Sequence, residues 1–178
     1  MGGPEHEKQL LPLLISFCKT DEKKVAMKSC QIIERIVKPS KELALDTIKK
    51  LMKSDMNVTR ECTLQLISNL FPLLETYENI IMDLYTPLFN SENPQTRIIA
   101  SKFLKVYIFL LKDFQKNVKN KDELTKIFEK IYGEGGELEK IYALEALADF
   151  YEENNNFSLT KFKHLSVINS WRVNIKIC

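Results

Sequence analysis

The chain has 178 residues, 44% hydrophobic and 28% charged, and Lys+Arg 26 against Asp+Glu 24 leave a formal charge of +2. This composition supports a folded core and excludes a disordered segment, while the balanced, interleaved charge lacks the basic excess or stripe of a nucleic-acid-binding surface. No apolar run approaches the ~20 residues of a membrane span, and the acidic Glu5 and Glu7 ahead of Leu10 do not suit the basic leader of a secretory signal, so a cytoplasmic or nuclear protein without a membrane partner is expected.

Apolar residues recur at helical spacing throughout. Leu10, Leu14, Phe17 and Cys18 share one face and predict a first helix over 7–19. Asp21 is placed to cap a second over 23–37, ended by Pro39, and Ser40 to cap a third over 41–53 with Ala44, Ile48, Leu51 and Met52 inward. Asp55 or Asn57 opens a fourth over 58–75, with a kink expected at Pro72 because proline removes a ladder donor. A fifth over 78–89 presents Ile81, Leu84, Tyr85 and Leu88. Asn93-Pro94 is a start signal for a sixth over 94–112, with Ile99, Phe103, Val106 and Leu110 inward.

Asn120 with Glu123 reads as a capping box for a seventh helix carrying Leu124, Ile127, Phe128 and Ile131, and Gly133, Gly135 and Gly136 then break the chain. An eighth over 137–151 presents Ile141, Leu144, Ala148 and Tyr151. A weaker ninth over 158–168 follows the Asn154–Asn156 linker, and a tenth begins at Trp171 and is cut off at Cys178. No segment shows the strict alternation of a half-buried strand, so the fold class is all-α.

Cys18, Cys30, Cys62 and Cys178 form no C-x-x-C pair; Cys30 shares a face with Ala26, Ile33 and Val37, and Cys62 with Val58, Leu66 and Leu70, which reads as free structural cysteine. His6 and His164 are distant and have no ligand partner at metal spacing. The Gly133–Gly136 run follows a helix and lacks the Lys-Ser/Thr end of a phosphate loop, while the adjacent Glu152 and Glu153 face different directions. No catalytic, cofactor-binding or metal residue is assigned, and the chain is expected not to be an enzyme.

Five times a polar turn opens into an amphipathic helix, at Val25, Val58, Thr96, Glu139 and Val173, with spacings of 33, 38, 43 and 34 residues. A period of this size marks paired-helix repeats that stack one on the next. The approximate repeats are 7–38, 40–75, 78–112, 121–152 and an incomplete 157–178, forming one array over 1–178. Arg60, Arg97, Lys140 and Arg172 sit near the anchors. Cations there oppose the helix macrodipole, so Arg60, Arg97 and Lys140 are expected to tie the stack by reaching acids of adjacent turns.

Leu10-Leu-Pro-Leu-Leu14 followed by Asp21 and Val25 resembles a HEAT repeat, and Leu64–Leu74 and Tyr85-Thr-Pro-Leu-Phe89 fit the same template. Ser170-Trp-Arg-Val173 is similar to an opening that recurs in the scaffold (A) subunit of protein phosphatase 2A. The unequal spacing, the charged Glu139, the position of Lys24 before its valine and the loose glycine turn depart from that pattern.

The resemblance implies an α-α superhelix (a HEAT-like solenoid) of four helix pairs and a partial fifth. It implies a monomeric, non-catalytic scaffold whose partners, such as a phosphatase catalytic or regulatory subunit, dock on the intra-repeat turns. Asp55, Met56, Asn57, Glu92, Gln95, Trp171 and Arg172 are then the candidate partner-binding residues. A transport or cargo adaptor would instead use the second-helix face, with Lys28, Arg35, Gln65 and Lys105, and a tubulin-binding array would use basic turn tips such as Trp171-Arg172.

Overall fold

The computed structural model describes residues 9–110 and 118–153, and these are helical with no strand among them. The expected ninth and tenth helices, the fifth repeat, His6, His164, Trp171, Arg172 and Cys178 lie outside the described residues.

In chain order the helices are α1 (Leu11–Cys18), α2 (Lys23–Val37), α3 (Lys41–Met52), α4 (Asn57–Asn69) and the one-turn α5 (Phe71–Leu74), which runs into a 3-10 turn at Glu75–Tyr77. They continue as α6 (Glu78–Phe89), α7 (Pro94–Lys102), α8 (Leu104–Leu110), α9 (Val118–Glu134) and α10 (Glu137–Glu153). Helix α1 packs on α2, α3 on α4, α6 on α7 and α9 on α10. The second members also meet in succession: α2 packs on α4, α4 on α7, and α7 on α10.

Several boundaries follow from local chemistry. Ser40 Oγ accepts the Leu43 amide at 3.3 Å, and Asn93 Oδ1 accepts the Gln95 amide at 2.9 Å, so both residues act as caps. Asp21 does not cap: the chain enters α2 through Glu22 in extended backbone, with no side-chain cap bond, and the Glu22 amide donates to Thr20 Oγ1. Asn57 is the first residue of α4 rather than its cap, which is Met56. The fourth predicted helix breaks at Leu70, because Pro72 has no amide to offer the Ser68 carbonyl.

The sixth breaks at Phe103, whose amide falls back to the Ala100 carbonyl at 3.1 Å. Tyr85 Oη donates to that same carbonyl at 2.7 Å, holding the break against α6. Asn120 lies inside α9 instead of capping it, and Gly133 is helical, so the glycine break is confined to Gly135 and Gly136.

The core is one continuous apolar cluster from Leu11 to Ala146. The face of α9 is as expected, with Leu124, Ile127, Phe128 and Ile131 buried. Two faces differ. In α1, Leu11, Leu14 and Cys18 are buried while Leu10 and Phe17 are exposed. In α10 the buried side is Glu139, Ala143 and Ala146, and Ile141 is exposed. Small alanines there let α10 approach α7 and α8 closely.

Candidate partner-binding ridge

The described intra-pair turns run through Asp21–Lys24, Asp55–Asn57, Glu92–Gln95 and Glu134–Glu137. Behind them lies a layer of side-chain ties. In the second turn Arg60 Nη2 donates to Asp55 Oδ1 at 3.0 Å, and its Nη1 donates to Thr96 Oγ1 at 3.0 Å. The Thr96 hydroxyl in turn donates to Asn57 Oδ1 at 2.8 Å. One buried hydroxyl therefore accepts from and donates to the preceding pair, locking α4 to α7.

In the third turn Arg97 Nε donates to Glu139 Oε1 at 3.1 Å, and Nη1 donates to the Ser91 and Glu92 carbonyls at 2.8 and 3.2 Å. The Glu139 side chain is only 4% exposed. Its other oxygen accepts the Gly136 amide at 2.8 Å, which is the backbone-capping half of a capping box with Glu139 at the third helical position. The charged anchor thus serves two partners, one in its own turn and one in the preceding pair. Lys140 Nζ stands over the Tyr132 ring, 5.9 Å from its centroid.

Among the other anchors, Val25 is exposed and Val58 half-buried; Ala26 and Thr59, one residue later, are the fully buried members. Thr59 Oγ1 donates to the Cys18 carbonyl at 2.7 Å and ties α4 back to α1. The inward anchors sit one position further round the helix in the first two pairs.

The candidate binding residues stand in front of these ties. Asp55, Glu92 and Gln95 are exposed, whereas Met56 and Asn57 are half-buried and Asn57 is held by Thr96. Between the third and fourth turns lies a cleft of about 310 Å³, walled by Ser91, Glu92, Arg97, Lys130, Glu134 and Glu139. Lys130 Nζ donates to Asn90 Oδ1 across it at 2.7 Å. Of the residues lining it, Glu92, Arg97, Glu134 and Glu139 stand out in the sequence as turn or anchor positions, and Asn90, Ser91 and Lys130 do not.

The second-helix face carries its own ladder. Glu61 of α4 receives Lys23 Nζ of α2 at 2.8 Å and Lys102 Nζ of α7 at 2.7 Å. Burial pushes the Glu61 carboxyl up, but the hydrogen bonds from Lys102 and Lys23 outweigh it and hold the carboxyl below its usual range. Asn69 donates to Glu34 at 2.8 Å, Gln65 to Asn69 at 2.9 Å, and Lys105 pairs with Asp149 at 3.1 Å.

Most of the cross-pair contacts fall within one range of sequence separation, with Lys105–Asp149 just beyond it at 44. Asn69–Glu34, Arg60–Thr96, Thr86–Glu123, Lys23–Glu61, Asn57–Thr96, Lys130–Asn90, Lys102–Glu61 and Arg97–Glu139 join residues 35, 36, 37, 38, 39, 40, 41 and 42 apart in sequence. The signal that could have located them was the period itself, applied to polar residues as well as apolar ones.

Among the described residues no group of three His, Cys, Asp or Glu is arranged to hold a metal ion, and no helix is long and apolar enough to cross a membrane. No family model matches the sequence, and no curated protein matches it.

Proposed function

We propose that the chain is a HEAT-like solenoid acting as a non-catalytic scaffold for protein–protein assembly, of the kind that the protein phosphatase 2A scaffold subunit represents, and that it holds its partner along the turn ridge. The observation that carries this reading is the division of labour in the turns. Arg60, Thr96, Arg97 and Glu139 are used up in joining one pair to the next, while Asp55, Glu92 and Gln95 remain exposed on the same line beside an open cleft. The clustering of cross-pair contacts at separations near the repeat length supports the repeat array.

The second-helix face is the alternative site; Gln65 and Lys105 there are engaged with Asn69 and Asp149, as Asp55 on the ridge is with Arg60. Affinity capture from native extract with wild-type chain, with Asp55→Lys plus Glu92→Lys, and with Lys28→Glu plus Arg35→Glu separates the two faces. The ridge variant is expected to lose the captured partner and the second-helix variant to keep it. A partner retained by a folded ridge variant refutes the reading, and a phosphatase catalytic subunit among the lost proteins supports its specific form.

A further inference from the structure

Three cysteines far apart in sequence meet in the core where the first two helix pairs join. Cys18 ends α1, Cys30 lies in the middle of α2, and Cys62 lies on α4. All three are buried, free thiols. Cys18 Sγ and Cys30 Sγ are 3.4 Å apart, a contact in which one thiol donates to the other. Cys18 Sγ is also 3.8 Å from the Ala26 carbonyl, on the α2 turn before Cys30.

We propose that Cys18 and Cys30 are an oxidation site, a dithiol that a hydroperoxide converts to an intrachain disulfide stapling α1 to α2. The two sulfurs need to close by little more than an ångström to reach bonding distance, about 2.05 Å. They sit on helices joined by the short turn Lys19–Glu22, so closure distorts one helix pair and leaves the stack in place. Cys62 also hydrogen-bonds Cys30 but belongs to the next pair, so a bond to it would cross-link α4 to α2 instead of closing one pair.

Access comes through α1. This helix has eight residues; among the described residues it packs on α2, α3 and α4, with Leu13 and Phe17, and Leu10 at its cap, on the exposed side. Short elements open locally at less cost than the whole fold. Opening carries Cys18 outward while Cys30 stays on α2. The Cys18 thiolate attacks a peroxide oxygen; the O–O bond breaks, a sulfenic acid forms, and the alcohol or water leaves. When α1 closes, the Cys30 sulfur attacks the Cys18 sulfur, the S–S bond forms, and the sulfenic oxygen leaves as water with the Cys30 proton. Two thiols are oxidised and one hydroperoxide is reduced. Hydrogen bonds with Cys18 and Cys62, together with burial, hold the Cys30 thiol protonated, which suits the resolving role over the attacking one.

The test uses the full chain with Cys178→Ser, which removes the fourth thiol. The folded protein is treated with hydrogen peroxide, blocked with an alkylating agent under denaturing conditions, and digested with trypsin. Cleavage after Lys8, Lys19, Lys28 and Arg35 separates Cys18 from Cys30. The expected result is a cross-linked peptide pair 9–19 with 29–35, lost on treatment with dithiothreitol, with Cys62 recovered alkylated. The oxidised protein also melts at a higher temperature than the reduced one. Full recovery of alkylated Cys18 and Cys30, at a peroxide dose that oxidises a model thiol, overturns the proposal. So does a Cys30–Cys62 link in place of Cys18–Cys30.

Discussion

Arg97 and Glu139 offer the sharpest test of how the helix pairs are joined. Glu139 is almost fully buried, and its two oxygens are divided between Arg97 Nε and the Gly136 amide. Arg97→Ala therefore leaves a buried carboxylate with one backbone donor. Breaking a fully buried pair costs about 3–5 kcal/mol. The Arg97 side chain is 23% exposed, so water reaches the vacated place and the expected loss falls to about 2–3 kcal/mol. Glu139→Gln keeps an oxygen for Gly136 and removes the charge, at about 1.5–3 kcal/mol.

In the double variant the two losses overlap, because each single change already removes the tie. A double-mutant cycle by urea unfolding, followed by far-UV circular dichroism, should return a coupling of about 1–3 kcal/mol. A coupling below about 0.5 kcal/mol, the level of independent sites, would show that α7 and α10 are joined by apolar packing alone.

Two glycines two residues apart should respond in opposite directions. A Cβ at Gly135 would run into the Ile131 carbonyl oxygen, to which the Gly135 amide is already bonded, so Gly135→Ala should destabilise by about 1–3 kcal/mol. At Gly133 a Cβ meets nothing, and the residue is helical, so Gly133→Ala should stabilise by about 0.4–1 kcal/mol; thermal melts of the two variants read both signs. Glu61→Gln should cost about 1 kcal/mol at neutral pH, since both of its lysines are partly exposed. Because the folded Glu61 value is lowered, that contribution is present above the ordinary carboxylate value of about 4.3 and fades as pH falls below it. Wild type and Glu61→Gln melts should therefore converge in acid; a gap that persists there would place the effect elsewhere.

Helices were legible wherever apolar residues keep to one stripe against charged ones. α9 is such a helix, and its four expected core residues are all buried. α1, Leu11–Cys18, is apolar nearly all round, so its own pattern carries no frame, and only contact with α2 and α4 selects Leu11, Leu14 and Cys18. α10 misleads for the opposite reason. Its large apolar residues are scattered, and the packed side is chosen by small size at Ala143 and Ala146 and by the partner waiting for Glu139. That Asp55, Glu92 and Gln95 stand exposed in turns was legible because turns are polar. The Cys18–Cys30 contact was not, because it depends on the rotation of α1, the frame that sequence left open.

The arginines near the helix starts make physical sense once their side chains are followed. A cation in the first turn of a helix faces the positive end of the macrodipole, and that position alone is unfavourable. Arg97 avoids the conflict by turning back: Nη1 donates to the Ser91 and Glu92 carbonyls of the preceding loop, while Nε reaches across to Glu139. Arg60 does the same with Asp55 and Thr96. The guanidinium forks in two directions, loop and neighbour, which a lysine could not do with one point charge. The loop carbonyls and the adjacent pair are thereby fixed to one group, so the exposed acids of each turn inherit their position from the stack. On the proposed reading a change at Glu92 alters the ridge surface alone, a change at Asp55 also loosens the Arg60 tie, and a change at Arg97 alters the joint between pairs.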